Sequence, residues 1–143
     1  MANDPIPQGM YKPAVRFGDL IFTAGMTPRK DGKLIGGGKM TASSDPASHD
    51  TEVLQAAKNA LTAAENCLKE GERIVQILSL TVYINADAMF TQHPKLADIA
   101  SKYLYEQLGD AGIGARAAVG MVSLPGDALA EVQLIAGVGR EAE

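Results

Sequence analysis

The chain predicts an α+β fold in the order β-β-α-β-α-β-β, with both helices packed on one face of the sheet. Two observations carry this. Apolar residues recur at helical spacing in two stretches: Val53, Ala57, Ala60, Leu61, Ala64 and Leu68, then Leu96, Ile99, Ala100, Tyr103 and Leu104. Five strand-like segments flank and separate them, two before the first helix, one between the helices and two after the second.

The elements follow in order. Residues 13–25 read as two short strands around a tight turn at Gly18-Asp19. Residues 28–45 are rich in Gly, Lys, Asp and Ser, with Gly36-Gly37-Gly38 at their centre, and predict a flexible surface loop. No Gly-Lys-Ser/Thr follows these glycines, so they are not a phosphate loop. A helix begins at Asp45-Pro46: aspartate caps free amides, and proline at the first helical position loses no bond. Lys69-Glu70-Gly71 ends it, because glycine turns left-handed without strain. Residues 74–84 are apolar enough to predict a strand buried on most of both faces. A second helix covers residues 94–108, and residues 109–114 form a loop. The last two strands lie on either side of Leu124-Pro125-Gly126.

At 143 residues the chain is expected to form one domain, residues 1–143, able to bury a real core. Hydrophobic content of 46% and charged content of 21% are ordinary for a globular protein. The net charge of −4, the missing tryptophan and only seven other aromatics argue against a nucleic-acid groove or a base-stacking platform. No stretch reaches membrane-spanning length, and Met1-Ala2-Asn3-Asp4-Pro5 lacks the pattern of a secretion signal. A single cysteine, Cys67, excludes an internal disulfide, and the expected compartment is the reducing cytoplasm.

The last two strands carry the chemistry. Arg116 stands alone among small apolar residues, and Glu131 opens an apolar run. An arginine fork suits a small carboxylate, because it makes two parallel charge-assisted hydrogen bonds. A glutamate nearby moves a proton or holds a water. Single charges also serve merely to keep strand ends wet, and that plain reading stands beside the catalytic one. In a plain hairpin position 131 would pair near 120 or 121. Arg116 would then lie roughly 13–17 Å away at about 3.3 Å per residue, too far for one small substrate. Either the two strands are not neighbours, or the two groups meet across subunits. The strands are also more apolar than a wet sheet face needs, which points to self-association.

The pieces Gly9-Met10-Tyr11, Leu20-Ile21-Phe22-Thr23-Ala24-Gly25, Ala115-Arg116-Ala117-Ala118-Val119, Leu124-Pro125 and Glu131-Val132 resemble the reactive intermediate deaminase family, also called YjgF-like or endoribonuclease L-PSP-like. The resemblance implies a chorismate-mutase-like mixed sheet with two helices on one face. It implies a homotrimer with three clefts between subunits. It implies hydrolysis of imines and enamines such as 2-iminopropanoate to 2-keto acids and ammonia, with no metal and no cofactor. Arg116 matches the arginine that clamps the substrate carboxylate, Glu131 the glutamate that orients water, Tyr11 the tyrosine lining the cleft and Gly25 the glycine after the second strand. Three positions depart. Ala24 replaces a serine hydroxyl, Asp98 falls near the position of an asparagine, and Ala118 replaces a cysteine. Longer segments at 36–48 and 91–95 resemble a divergent branch of the family.

An iminium carbon is already electrophilic, so the protein need only fix the carboxylate, place a water and move protons. No cysteine–histidine or serine–histidine constellation is needed. His49, at a helix start, and His93, in a loop before one, read as surface or capping residues without metal-ligand spacing. Cys67 reads as a small hydrophobe, Asp98 as a cleft acid or a solvated helix carboxylate, and Tyr11 as packing or cleft lining. A non-catalytic module that binds small carboxylates is the alternative function, with a ribonuclease a distant third.

Overall fold

A computed structural model describes residues 4–140. Its elements are β1 (Ala14–Phe17), β2 (Leu20–Thr23), β3 (Arg29–Lys30), β4 (Lys33–Leu34), α1 (Asp50–Glu65), β5 (Glu72–Asn85), α2 (His93–Leu108), β6 (Ala115–Met121) and β7 (Ala130–Arg140). The main sheet runs β1-β2-β7-β5-β6. All its pairings are antiparallel except β5 with β6, so the sheet is mixed, and both helices cover one face.

The β1–β2 turn is where the sequence places it, with Gly18 at φ +61. Asp45 accepts a hydrogen bond from the Ala47 amide at 3.0 Å and caps a single tighter turn, Pro46–His49, from which α1 continues. Val53, Ala57, Ala60, Leu61 and Ala64 are buried on α1. Leu96, Ala97, Ala100 and Leu104 are buried on α2, while Ile99 and Tyr103 pack partly buried at the core margin. The apolar stripes meet Ile77, Leu80, Val82 and Ile84 of β5 and Val132, Leu134 and Ala136 of β7 in one core. Truncating a central side chain such as Leu134 to alanine costs about 2–5 kcal/mol, the loss of its burial plus the cavity left.

Two expectations change, and one alternative left open by the sequence resolves. Residues 28–45 are not simply a flexible loop. They hold the β3–β4 hairpin, and Met40 is fully buried, its amide bonded to the Asn85 carbonyl at 2.8 Å and its carbonyl to the Asp87 amide at 2.9 Å. That buried side chain beside the end of β5, with hydrogen bonds from Asn59 to the Arg29 carbonyl and from the Gly38 amide to the Asp127 carbonyl, fixes a segment whose composition reads as free. The nearby glycines are needed: Gly36 has φ +60, and a Cβ there would overlap the Glu52 side chain.

The strand β5 is not buried on most of both faces. Leu80, Val82 and Ile84 are buried, but Thr81 and Tyr83 between them are only half-buried, because among the described residues no second layer covers that side of the sheet. The final strands are not a hairpin either. After Met121 the chain passes a short turn, Pro125–Asp127, and β7 enters the sheet on the far side of β5.

Candidate functional site

Arg116 lies on the edge strand β6, opposite Leu80 of β5, and so shares the helix-covered face with it. Its Nη1 donates to Asp98 Oδ1 at 2.6 Å and to Ser101 Oγ at 3.1 Å. Asp98 and Ser101 are three residues apart on α2 and present one surface to the strand. The Arg116 side chain is 26% exposed and that of Asp98 70%. Ala118, opposite Val82, continues this face and is partly buried. Next along it is Gly120, where a Cβ would collide with the His93 ring. His93 is the first residue of α2 rather than part of a loop, and it meets Phe90 edge-to-face at 5.0 Å.

Glu131 belongs to the other face. It pairs with Tyr83, three residues beyond Leu80 with no bulge between them, so its side chain points away from the helices. The carboxylate rests over the Cα of Gly25, and a Cβ at that position would stand 2.8 Å from its Cδ. The bare glycine makes the contact feasible. Glu131 is half-buried, and burial pushes its carboxyl above the ordinary glutamate range. On the same face the Tyr83 hydroxyl donates to Gln133 Oε1 at 3.0 Å.

Ala24 donates its amide to the Pro13 carbonyl at 2.8 Å and turns a partly buried methyl to the core. Tyr11 is 47% exposed, and its hydroxyl accepts from the Gln8 amide at 3.1 Å. Tyr11 and Gly25 line a cavity of about 200 Å³ together with Thr27, Arg29, Gln55 and Asn59. Asn59 closes it by donating to the carbonyls of Thr27 and Arg29 at 3.1 and 2.8 Å.

The candidates therefore form two groups: Arg116, Asp98 and Ala118 beside α2, and Glu131, Gly25, Ala24 and Tyr11 on and around β7. They do not converge within one chain. Two strand spacings of about 4.8 Å and three residues at about 3.3 Å separate Arg116 from Glu131 by roughly 14 Å, on opposite faces of the sheet. The strands are not neighbours. Sequence reasoning missed Ser101, although it lies one helical turn from Asp98, and the cavity residues Arg29 and Asn59, which carry no sequence signal of their own. Among the described residues no group of His, Cys, Asp and Glu is placed to hold a metal ion. No described helix is long and apolar enough to cross a membrane.

The helix-free face is apolar. Val15 and Phe17 pair with Phe22 and Leu20 on it, and Ile135 lies opposite Phe22. Phe17 is 79% exposed and Phe22 41%. Val119 continues the patch beside Tyr83.

Known proteins share this architecture. A RutC family protein from Pyrococcus horikoshii is 29% identical over 136 residues, 94% of this chain and 91% of its own. The crystal structure of a "putative endoribonuclease" from Shewanella oneidensis superposes with a TM-score of 0.82 at 30% identity, covering 92% of this chain and 87% of that one. The YjgF gene product of Escherichia coli shares the fold, with a TM-score of 0.69 at 24% identity over 96% of this chain and 94% of its own. Residues 5–138 match the family described as "YjgF/chorismate_mutase-like, putative endoribonuclease". A match of that length, on a fold shared throughout, places the chain in the YjgF-like family.

Proposed function

We propose that the chain hydrolyses small 2-imino acids to 2-keto acids and ammonia, in clefts that form between the subunits of a homotrimer. One observation carries this reading. Arg116 and Glu131 are suited to one substrate, yet they stand roughly 14 Å apart on opposite faces of a protomer, so each is half of a site that a second copy completes. The uncovered apolar face supplies a reason to assemble.

The chemistry follows from the two halves. The guanidinium of Arg116 holds the substrate carboxylate and fixes the C=N carbon beside it. Glu131 of the neighbouring copy accepts a proton from water as the water oxygen bonds to that carbon and the C=N electrons pass to nitrogen. From the protonated imine, that proton then goes to the amine nitrogen; as the C–N bond breaks and the C=O bond forms, the hydroxyl proton passes to Glu131 and ammonia leaves. A half-buried carboxyl with a raised pKa suits a group that must take and return a proton. Gly25, with no side chain, leaves room for that carboxylate.

A second reading, a binding module for small carboxylates, is favoured by Ala24, which offers no hydroxyl, and by Asp98, which already engages the arginine. The endoribonuclease named for the Shewanella relative sits poorly with a net charge of −4. The deciding assay is keto-acid release from an imine generated in situ by an amino-acid oxidase. Hydrolysis faster than the uncatalysed rate, lost in Arg116→Ala, supports the enzyme. Binding of keto acids without acceleration supports the module. Restoring the hydroxyl in Ala24→Ser raises the rate on 2-iminopropanoate if the alanine merely tunes activity.

A further inference from the structure

Resting on the carboxylate-clamp reading above, we infer that Asp98 selects ligands that carry a cationic nitrogen beside their carboxylate. The site then takes the protonated imino acid in preference to the keto acid it releases. The geometry is specific. Asp98 Oδ1 and Ser101 Oγ both engage Nη1 of Arg116, at 2.6 and 3.1 Å. The other guanidinium nitrogens make no hydrogen bond to any described residue and remain for a ligand carboxylate. The Asp98 side chain is 70% exposed, and only its Oδ1 bonds Arg116, so its second oxygen is left for a ligand.

A 2-imino acid carries its nitrogen on the carbon next to the carboxylate. With the carboxylate on the free side of the Arg116 fork, the adjacent N–H⁺ falls beside Asp98. Four charges then alternate: ligand carboxylate, arginine, aspartate, ligand nitrogen. In a keto acid a carbonyl oxygen stands where the N–H stood. It offers Asp98 only lone pairs, and the aspartate repels it. Arg116 alone attracts any small carboxylate, whereas the Arg116–Asp98 pair is nearly neutral and rewards a ligand carrying both signs. A purely structural role explains the contact less well, because an ion pair this exposed contributes little to stability.

The test compares two probes with one carbon skeleton, L-alanine and pyruvate, titrated calorimetrically into the intact protein. The wild type binds alanine more tightly than pyruvate. Asp98→Asn keeps the shape and removes the charge; it lowers the alanine-to-pyruvate affinity ratio about fivefold, the order expected of one exposed charge contact. Asp98→Ser lowers it in the same direction, which guards against a folding defect in one variant, and melting temperatures report the fold. A ratio that stays constant or rises in both variants overturns the inference. Arg116→Ala weakens both probes and leaves alanine favoured, because Asp98 remains. If Arg116→Ala leaves both affinities intact, the clamp reading falls, whatever Asp98 does. Failure of alanine to bind the wild type while pyruvate binds overturns the selection, and failure of both probes overturns both readings.

Discussion

Glu131 shows how one residue's setting separates function from stability. Its carboxyl is half-buried over Gly25, and burial raises its pKa above the unfolded value. For an acid the consequence is fixed: the stabilising, protonated form prevails below the unfolded pKa, and that stability is lost as pH rises through the raised value. At neutral pH the ionised group opposes folding slightly. Glu131→Gln is therefore expected to lower kcat for imine hydrolysis steeply while the melting temperature at pH 7 stays level or rises. A fall in melting temperature with unchanged kcat would make Glu131 structural. In the wild type the acid limb of kcat/KM should lie above the ordinary glutamate range, and Gly25→Ala should abolish activity by displacing the carboxylate. Arg116 and Glu131 stand out in the sequence as candidates because one is the lone charge of its strand and the other opens an apolar run. The pairing of Asp98 with Arg116 was not, since the two lie 18 residues apart and meet only because α2 packs beside β6.

Elements are held by a few long-range contacts as well as by the core. Arg16 on the edge strand β1 reaches Glu72, at the start of β5, through two hydrogen bonds of 2.6 and 2.8 Å. Those bonds, with one from the Lys69 amide at 2.7 Å, hold the Glu72 carboxyl down to about 2 from the usual 4.5. A depressed carboxyl contributes stability above its unfolded pKa and loses it as pH falls through the folded one. The expected outcome is a loss of wild-type stability between about pH 4.5 and 2, read by urea midpoints, of which Glu72→Gln lacks a part. Identical acid profiles would mean that the pair ties nothing together. The two helices were readable from their stripes, which depend on local spacing alone, although α1 ends at Glu65, short of the Lys69-Glu70-Gly71 stop the sequence offers. The two-sided burial expected of β5 was not found, because Thr81 and Tyr83 are compatible with either a covered or an open face. The anchoring of residues 28–45 was hidden because it rests on one buried methionine, Met40, and on hydrogen bonds to residues distant in sequence, amid loop-like composition.

On the scale of the whole molecule, the strand order β1-β2-β7-β5-β6 decides where the candidate groups lie. Consecutive strands suggest a hairpin, and only the distance between Arg116 and Glu131 signalled that β6 and β7 are separated. That separation puts Arg116 and Glu131 apart in one protomer, which is why the proposed site needs a second copy, and the face of Phe17 and Phe22 is exposed. Native mass spectrometry is expected to show three copies per particle, and Phe22→Asp to release monomers by placing a charge in the covered face. A stable wild-type monomer at micromolar concentration would remove the shared cleft. The most direct measurement is complementation between two inactive variants. Arg116→Ala and Glu131→Gln are co-expressed in equal amounts, and imine hydrolysis is compared with each variant alone and with the wild type. If each cleft takes its arginine from one subunit and its glutamate from the next, about a quarter of the clefts in randomly mixed trimers are intact. Activity should then return to about that fraction of the wild-type rate. Mixed trimers as inactive as either parent would contradict the account.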